Sequence, residues 1–307
     1  MVIQPLQSLR HASGRSEKGS IRLSSTRQMI DAIGVGRSIA LSAYTLHAGS
    51  DIVSALEHAA QNGAEVHVRL GKAVSDSHGD IDQKNAAVID ELTRHRVIVT
   101  QTDSLEHLKA AVVDGKAYFD DRNWTANGSE TVIVDSRRAD VKAVKAALRD
   151  GDASFHSRDL ALGKVGATRL EQDLISSTKR STLEVQTETV TTASAVEDEL
   201  LLAARRHERV RLIVSDDGRK DPGERAALRQ LARNGVEIRI GDGYSGTGNE
   251  KFCVAGERAW LGSANASWAG KGHGSLDWGL RTNSRAIADA LHHQFRDHWN
   301  DSVRYVA

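Results

Sequence analysis

His107-Leu108-Lys109-Ala110-Ala111-Val112-Val113-Asp114-Gly115 is the run that decides the fold. On a β-strand, the period of two puts His107 and Lys109 on one face and turns Leu108 to the other. The apolar tetrad that follows carries the strand into a core. Asp114-Gly115 then signals a turn and leaves a carboxylate able to orient or charge-balance a site. The run returns in altered form as Asn249-Glu250-Lys251, then Phe252-Cys253-Val254-Ala255 and Gly256, with Gly262-Ser263-Ala264-Asn265 beyond. The copies lie 249 − 107 = 142 residues apart.

An imidazole and an ammonium on one face suit a phosphate group. The lysine neutralises non-bridging oxygens, and a histidine in the right tautomer attacks phosphorus or protonates a leaving oxygen.

Nearly the same spacing, 182 − 38 = 144 residues, recurs elsewhere, which marks an internal duplication. Residues 38–44 read as a strand and 51–60 as a helix, and 182–188 with 195–204 repeat the pair. Ile39 and Leu41 match Leu183 and Val185 on one face, while Ser42 and Tyr44 match Gln186 and Glu188 on the other. That polar face is expected to line a shared cleft. Apolar strands at 65–70 and 210–214 follow, then further helices, then strands at 96–100 and 236–240. Val141, Val144 and Leu148 keep helical spacing, as do Ile287, Leu291, Phe295 and Trp299, and both stripes read as core.

Strands alternating with helices predict an α/β protein of two similar lobes related by a pseudo-twofold, each a mixed, mostly parallel sheet flanked by helices. The expected division is a loosely ordered segment at 1–20, a first lobe at 21–155 and a second at 156–307. The boundary is placed where glycine and polar residues interrupt the periodicity, between Gly151 and Gly166.

This pattern resembles the phospholipase D superfamily over nearly the whole chain. Its members carry two H-x-K-x4-D motifs, one per lobe, or pair two single-motif chains. The resemblance implies two-step phosphodiester cleavage: one motif histidine forms a phosphohistidine, the other protonates the leaving alkoxide, and water or an alcohol resolves the intermediate. It implies no metal and no organic cofactor. Carried onto this chain, it makes His107 the nucleophile and Lys109 and Lys251 the phosphate clamps, with Asp114 in the motif and Asn123, Ser263 and Asn265 as polar orienters. Two departures stand out. Asp120-Asp121 occupies the usual Gly-Ser position, and Asn249 stands where the second histidine belongs, with no aspartate after Ala255. Asparagine can hydrogen-bond a phosphate oxygen but cannot shuttle a proton near neutrality.

Three residues are candidate replacement acids: Glu188, if partial burial raises its pKa; His47, in a loop of the first lobe; and His273, in the glycine-rich run 270–274. His292, His293 and His298 form no metal set and are expected to be solvated. Trp124, Trp260, Trp268 and Trp278 are expected to pack beneath the site.

Forty-one basic residues balance forty-one acidic ones, a weak electrostatic footprint for a nuclease. No apolar run is long enough to span a bilayer, so any membrane contact should be peripheral. The single Cys253 cannot form an internal disulfide, and no secretory signal is visible near Met1, so the chain is expected in the cytoplasm. The expected activity is that of a monomeric phosphodiesterase on a phospholipid-like head group. The alternatives are a nuclease at the same site and a weak or inactive phosphate-binding module.

Overall fold

Two sheets arise from the same order of elements, each built twice along the chain. The computed structural model describes residues 19–306 apart from 72–74, 77–78, 103–105, 123, 125–130, 217–220, 243–249 and 268–274. The first half runs β1 (Ile21–Ser24), α1 (Thr26–Val35), β2 (Ser38–Ala43), α2 (Asp51–Gln61) and β3 (Glu65–Gly71). A two-stranded ribbon, β4 (Ser75–Asp76) and β5 (Gly79–Asp80), precedes α3 (Ile81–Arg94) and β6 (Ile98–Thr102). The motif strand β7 (Ala110–Val113), β8 (Lys116–Asp120), β9 (Val132–Asp135) and α4 (Arg138–Asp150) complete it.

The second half begins with β10 (Leu160–Leu162), α5 (Lys164–Ser176), β11 (Leu183–Thr187) and α6 (Ala195–Arg205). It continues with β12 (Val210–Ser215), α7 (Pro222–Arg233) and β13 (Glu237–Gly241). The second motif strand β14 (Phe252–Ala255), β15 (Arg258–Gly262), β16 (Trp278–Thr282), α8 (Arg285–Asp301) and β17 (Val303–Arg304) close the chain.

The first sheet is ordered β1-β9-β8-β7-β2-β3-β6 and the second β10-β16-β15-β14-β11-β12-β13-β17, the same order with one added edge strand. The duplication therefore starts earlier than the periodicity indicated, at β1-α1 and β10-α5, whose strands of four and three residues are too short to show a period.

Both sheets are mixed, but they are not mostly parallel. Only β2-β3-β6 and β11-β12-β13 pair in parallel. The motif strands instead open antiparallel meanders. The cause is the turn: Asp114 (φ 45°) and Gly115 (φ 80°) both take the left-handed conformation of a two-residue hairpin loop, which sends β8 straight back along β7.

Each motif strand is buried on both faces, which is why it reads as an unbroken apolar run. Ala111 and Val113 face the core of the first lobe, and Cys253 and Ala255 that of the second. Ala110, Val112, Phe252 and Val254 face a third core shared by both lobes. The shared core holds the expected helix stripes, with Val144 and Leu148 from α4 and Ile287, Leu291 and Phe295 from α8. The helices α4 and α8 thus lie between the sheets, α4 reaching β10 and α8 reaching β1. Phe119 and Trp278 meet across the lobes with ring centroids 4.9 Å apart. This packing brings the ends of β7 and β14 to one place.

Candidate active site

His107 sits just ahead of β7, half-buried, and its Nδ1 lies 2.7 Å from Oδ1 of Asp277 in the other lobe. Burial favours the neutral carboxyl of Asp277. The His107 imidazole, hydrogen bonds from His107 and Ser275, and Lys164 outweigh it and hold Asp277 below its usual pKa. An ionised carboxylate has no proton to give, so Nδ1–H donates and Nε2 keeps its lone pair. Ser263 Oγ donates to the same Oδ1 at 3.0 Å, Ser275 Oγ donates to Oδ2, and the Trp278 backbone N–H is 3.1 Å from Ser263 Oγ. Tyr44 packs edge-on to the imidazole at 5.9 Å. Burial and the ammonium of Lys109 lower the pKa of His107 against the pull of Asp277, leaving a neutral ring with an aimed lone pair.

Lys109 and Lys251 are both buried, 3% and 0% exposed. Burial and repulsion from Lys251 bring Lys109 down to about 8 against the attraction of Glu188, Asp120 and Asp277. The two ammonium groups therefore share one field. The route by which they get there differs from the expectation. Residues 106–109 are not β-strand, and Lys109 takes φ 45°, so alternation on a strand does not place His107 and Lys109 together. A non-glycine residue in the left-handed region carries strain, which is held here by the Asp120 N–H donating to the Lys109 carbonyl at 3.0 Å. The second copy makes the matching bond, from Gly262 N to Lys251 O at 3.0 Å.

Glu188 follows β11, where the polar face was expected to open on the cleft, and its Oε2 lies 3.1 Å from Lys251 Nζ. The same oxygen accepts from Asn265 Nδ2 at 3.2 Å. Burial would raise its pKa, but Lys251, Lys109 and these hydrogen bonds bring it down to about 2. It is an ionised partner of the clamp, and the expectation of a raised, proton-donating Glu188 is corrected on that ground.

Asp114 is corrected as well. Its carboxylate accepts from the backbone N–H groups of Arg37 and Ser38 at 3.0 to 3.2 Å, at the far end of β7 from His107. It staples the hairpin turn to the chain entering β2 and does not join the site. His47 is exposed, and no contact ties it to the site. Asn123, Asn249, His273 and Trp268 lie outside the described residues. Trp124, Trp260 and Trp278 are buried packing residues, as expected. His298 is not solvated: it is 8% exposed, with Nδ1 3.0 Å from Gln186 Oε1 and 3.3 Å from Glu250. His292 is half-buried on Glu184.

Sequence reasoning missed Asp277, although an acid inside Leu276-Asp277-Trp278-Gly279-Leu280 is itself a flag, since carboxylates are rarely buried unless paired. It also missed Lys164, whose Nζ is 2.7 Å from Ser267 Oγ and whose charge reaches Asp277. Among the described residues no three His, Cys, Asp or Glu side chains assemble into a group that could hold a metal ion, and no helix is long and apolar enough to cross a membrane.

Residues 172–299 match the family described as cardiolipin synthase, PLD-like domain. No curated protein matches the sequence. Among solved structures, polyphosphate kinase from Porphyromonas gingivalis superposes with a TM-score of 0.64 at 17% identity, over 94% of this chain and 52% of the kinase. The chain thus spans about half the kinase's length. Phosphatidylserine synthase from Haemophilus influenzae Rd KW20 superposes with a TM-score of 0.63 at 11% identity, over 93% of this chain and 87% of the synthase. At such identities the likeness is one of fold. The second lobe thus matches this family in sequence, and both lobes share the fold of these structures.

Proposed function

We propose that the chain is a phosphodiesterase of the phospholipase D type, with His107 as nucleophile and Lys109 and Lys251 as phosphate clamps. The observation that carries this reading is the His107–Asp277 pair, 2.7 Å across the lobes and beside both lysines. Nε2 attacks phosphorus as the bond to the leaving oxygen breaks; the leaving group departs as an alkoxide that takes a proton from water, and a phosphohistidine forms. Water or an alcohol then attacks phosphorus, the P–N bond breaks, and the proton of the attacking hydroxyl passes to solvent. The lysines neutralise the charge that builds on the non-bridging oxygens. Ser263 acts through Asp277, and Asn265, Asn123 and Asn249 are the polar contacts proposed for the phosphate. One chain carries both motifs, which supports a monomeric working unit.

The balanced charge of the chain supports a lipid-like head group over nucleic acid. A second reading, a phosphate-binding module of little turnover, draws support from Glu188: a carboxyl held at about 2 has no proton to donate at neutral pH. One screen tests all three readings, using dispersed phospholipid, an oligonucleotide and a chromogenic phosphodiester, with His107→Ala as control. The proposed enzyme turns over one of these through an acid-labile phosphohistidine on the His107 peptide, and His107→Ala abolishes it. Activity intact in His107→Ala removes the proposed nucleophile. Cleavage of the oligonucleotide, with binding that collapses between low and physiological salt, makes the chain a nuclease. Binding of phosphate with no turnover of any substrate makes it a module.

A further inference from the structure

One oxygen of Glu188 holds two of the donors that the second lobe offers to a phosphate. Lys251 Nζ and Asn265 Nδ2 converge on Oε2 at 3.1 and 3.2 Å, so a carboxylate oxygen stands where a phosphate oxygen would be clamped. The lysine side chain is 0% exposed and that of Glu188 36% exposed, so the carboxylate lies on the solvent side of the ammonium it covers. Asn265 Oδ1 is buried without a hydrogen-bond partner, which leaves its amide oriented through the donated bond to Glu188. Lys109, Lys251 and Asn265 favour the anion at this spot.

Among the described residues of the first lobe, no carboxylate takes the position matching Glu188. That position is Tyr44, which packs edge-on against His107. Glu188 immediately follows β11, and its carbonyl is fixed by Ser215 N–H at 3.2 Å. The backbone is therefore anchored, and only the half-exposed side chain has to rotate to clear the lysine.

We propose that Glu188 is an internal anion that fills the second lobe's phosphate seat in the free protein and swings toward solvent when an anionic substrate takes over Lys251 and Asn265. This rests on the phosphodiesterase reading of the site. It makes Glu188 a specificity element. A lone small anion has to displace a tethered carboxylate, whereas a phosphodiester that also engages Lys109 and His107 brings enough contacts to do so. A seat that is open for one-tenth to one-hundredth of the time weakens apparent affinity about ten- to a hundredfold, since the apparent constant scales with the competent fraction.

The test is calorimetric binding of inorganic phosphate to the full chain and its variants, with thermal melts confirming that each is folded. Glu188→Gln is expected to bind phosphate about ten- to a hundredfold more tightly than the parent. Glu188→Asp, which keeps the charge but falls about one carbon–carbon bond short of Lys251, is expected to tighten binding too. A Glu188 that acted only as distant charge would leave the aspartate variant like the parent, and that result overturns the proposal. So does parental affinity in both variants. Should either variant unfold, carbodiimide labelling of the unmutated chain decides the matter: phosphate should increase modification at Glu188, and unchanged labelling overturns the swing. Phosphate binding that survives Lys109→Ala and Lys251→Ala, or no binding in any form, overturns the phosphodiesterase site itself and the proposal with it. Normal lysine dependence with no effect of Glu188 overturns the internal anion alone.

Discussion

Asp277→Asn is the perturbation that best separates a catalytic His107 from a merely buried one. The carboxylate does two things to the ring: it fixes the tautomer with the lone pair on Nε2, and it stabilises the imidazolium. A hydrogen bond of 2.7 Å from a ring nitrogen to a buried, ionised carboxylate belongs to the class worth about 1.5 to 3 kcal/mol. At about 1.4 kcal/mol per pKa unit, its loss lowers the His107 pKa by roughly one to two units. His107 attacks only when neutral, and removing a nearby anion makes the imidazolium less stable. The acidic limb of the kcat/KM profile therefore moves to lower pH by that amount. Asparagine can also turn its amide N–H toward Nδ1 and stabilise the wrong tautomer, for which a loss of about a thousand- to ten-thousandfold in kcat is the precedent in a buried His–Asp pair.

KM should change little, because Lys109 and Lys251 are untouched. The variant keeps one amide oxygen to accept from Ser263 or Ser275 in either orientation, so the fold is retained and a melt will show it. The assay is initial rates on a chromogenic phosphodiester from pH 4 to 9. A kcat within threefold of the parent, with an unmoved acidic limb, would refute the claim that Asp277 orients the nucleophile.

Asn249→His, read from the sequence, restores a group that titrates near neutrality, and turnover should rise about ten- to a thousandfold; an unchanged rate sinks the idea that only a proton donor is missing. Glu171 is buried with both carboxylate oxygens lacking hydrogen-bond partners, and burial pushes its pKa up to about 8. Because the folded value lies above the unfolded one near 4.5, its effect on stability is most favourable below pH 4.5 and is lost as pH rises to about 8, on the order of 3 to 5 kcal/mol in all. Glu171→Met should therefore flatten the pH dependence, gaining more at pH 8 than at pH 5 in urea unfolding; parallel pH slopes for the two proteins would count against it. A Cβ at Gly262 would sit 2.6 Å from the Trp278 carbonyl and 2.6 Å from the Trp260 ring. Gly262→Ala should therefore cost about 1 to 3 kcal/mol in denaturant unfolding, and an unshifted midpoint would show that the neighbours yield freely.

What the sequence disclosed was what local pattern can encode. The apolar tetrads 110–113 and 252–255 and the stripes on α4 and α8 depend only on the residues' own periodicity, and all are core except Val141 and Trp299, which pack partly buried against it. Strand direction was hidden because parallel and antiparallel buried strands read alike, and although Asp114-Gly115 reads as a turn, nothing local shows that β8 pairs back along β7. Asp277 was hidden because its partner lies 170 residues away, joined only by the packing of two lobes. Glu188 was located correctly and its charge state misjudged. Burial alone argues for a raised pKa, and only the contact with Lys251 reverses the sign.

The two copies have drifted apart in ways their neighbours explain. Trp260 and Gly262 in the second lobe match Tyr118 and Asp120 in the first, each 142 residues earlier. In the second lobe the Trp260 ring lies over Gly262, donates from Nε1 to the Ala167 carbonyl, and leaves no room for a side chain. In the first lobe the smaller tyrosine is paired with a buried aspartate whose Oδ2 accepts from Trp124 N–H at 2.5 Å and whose pKa burial raises to about 7. The backbone bond that closes each motif, from Asp120 N to Lys109 O and from Gly262 N to Lys251 O, survives the exchange because it needs no side chain. Each lobe can therefore change its side chains while still delivering a lysine to the cleft. The histidine is different: the ring of His107 takes its orientation from an acid in the other lobe. Neither half holds the His107–Asp277 pair alone, and the proposed nucleophile depends on the docking of both lobes.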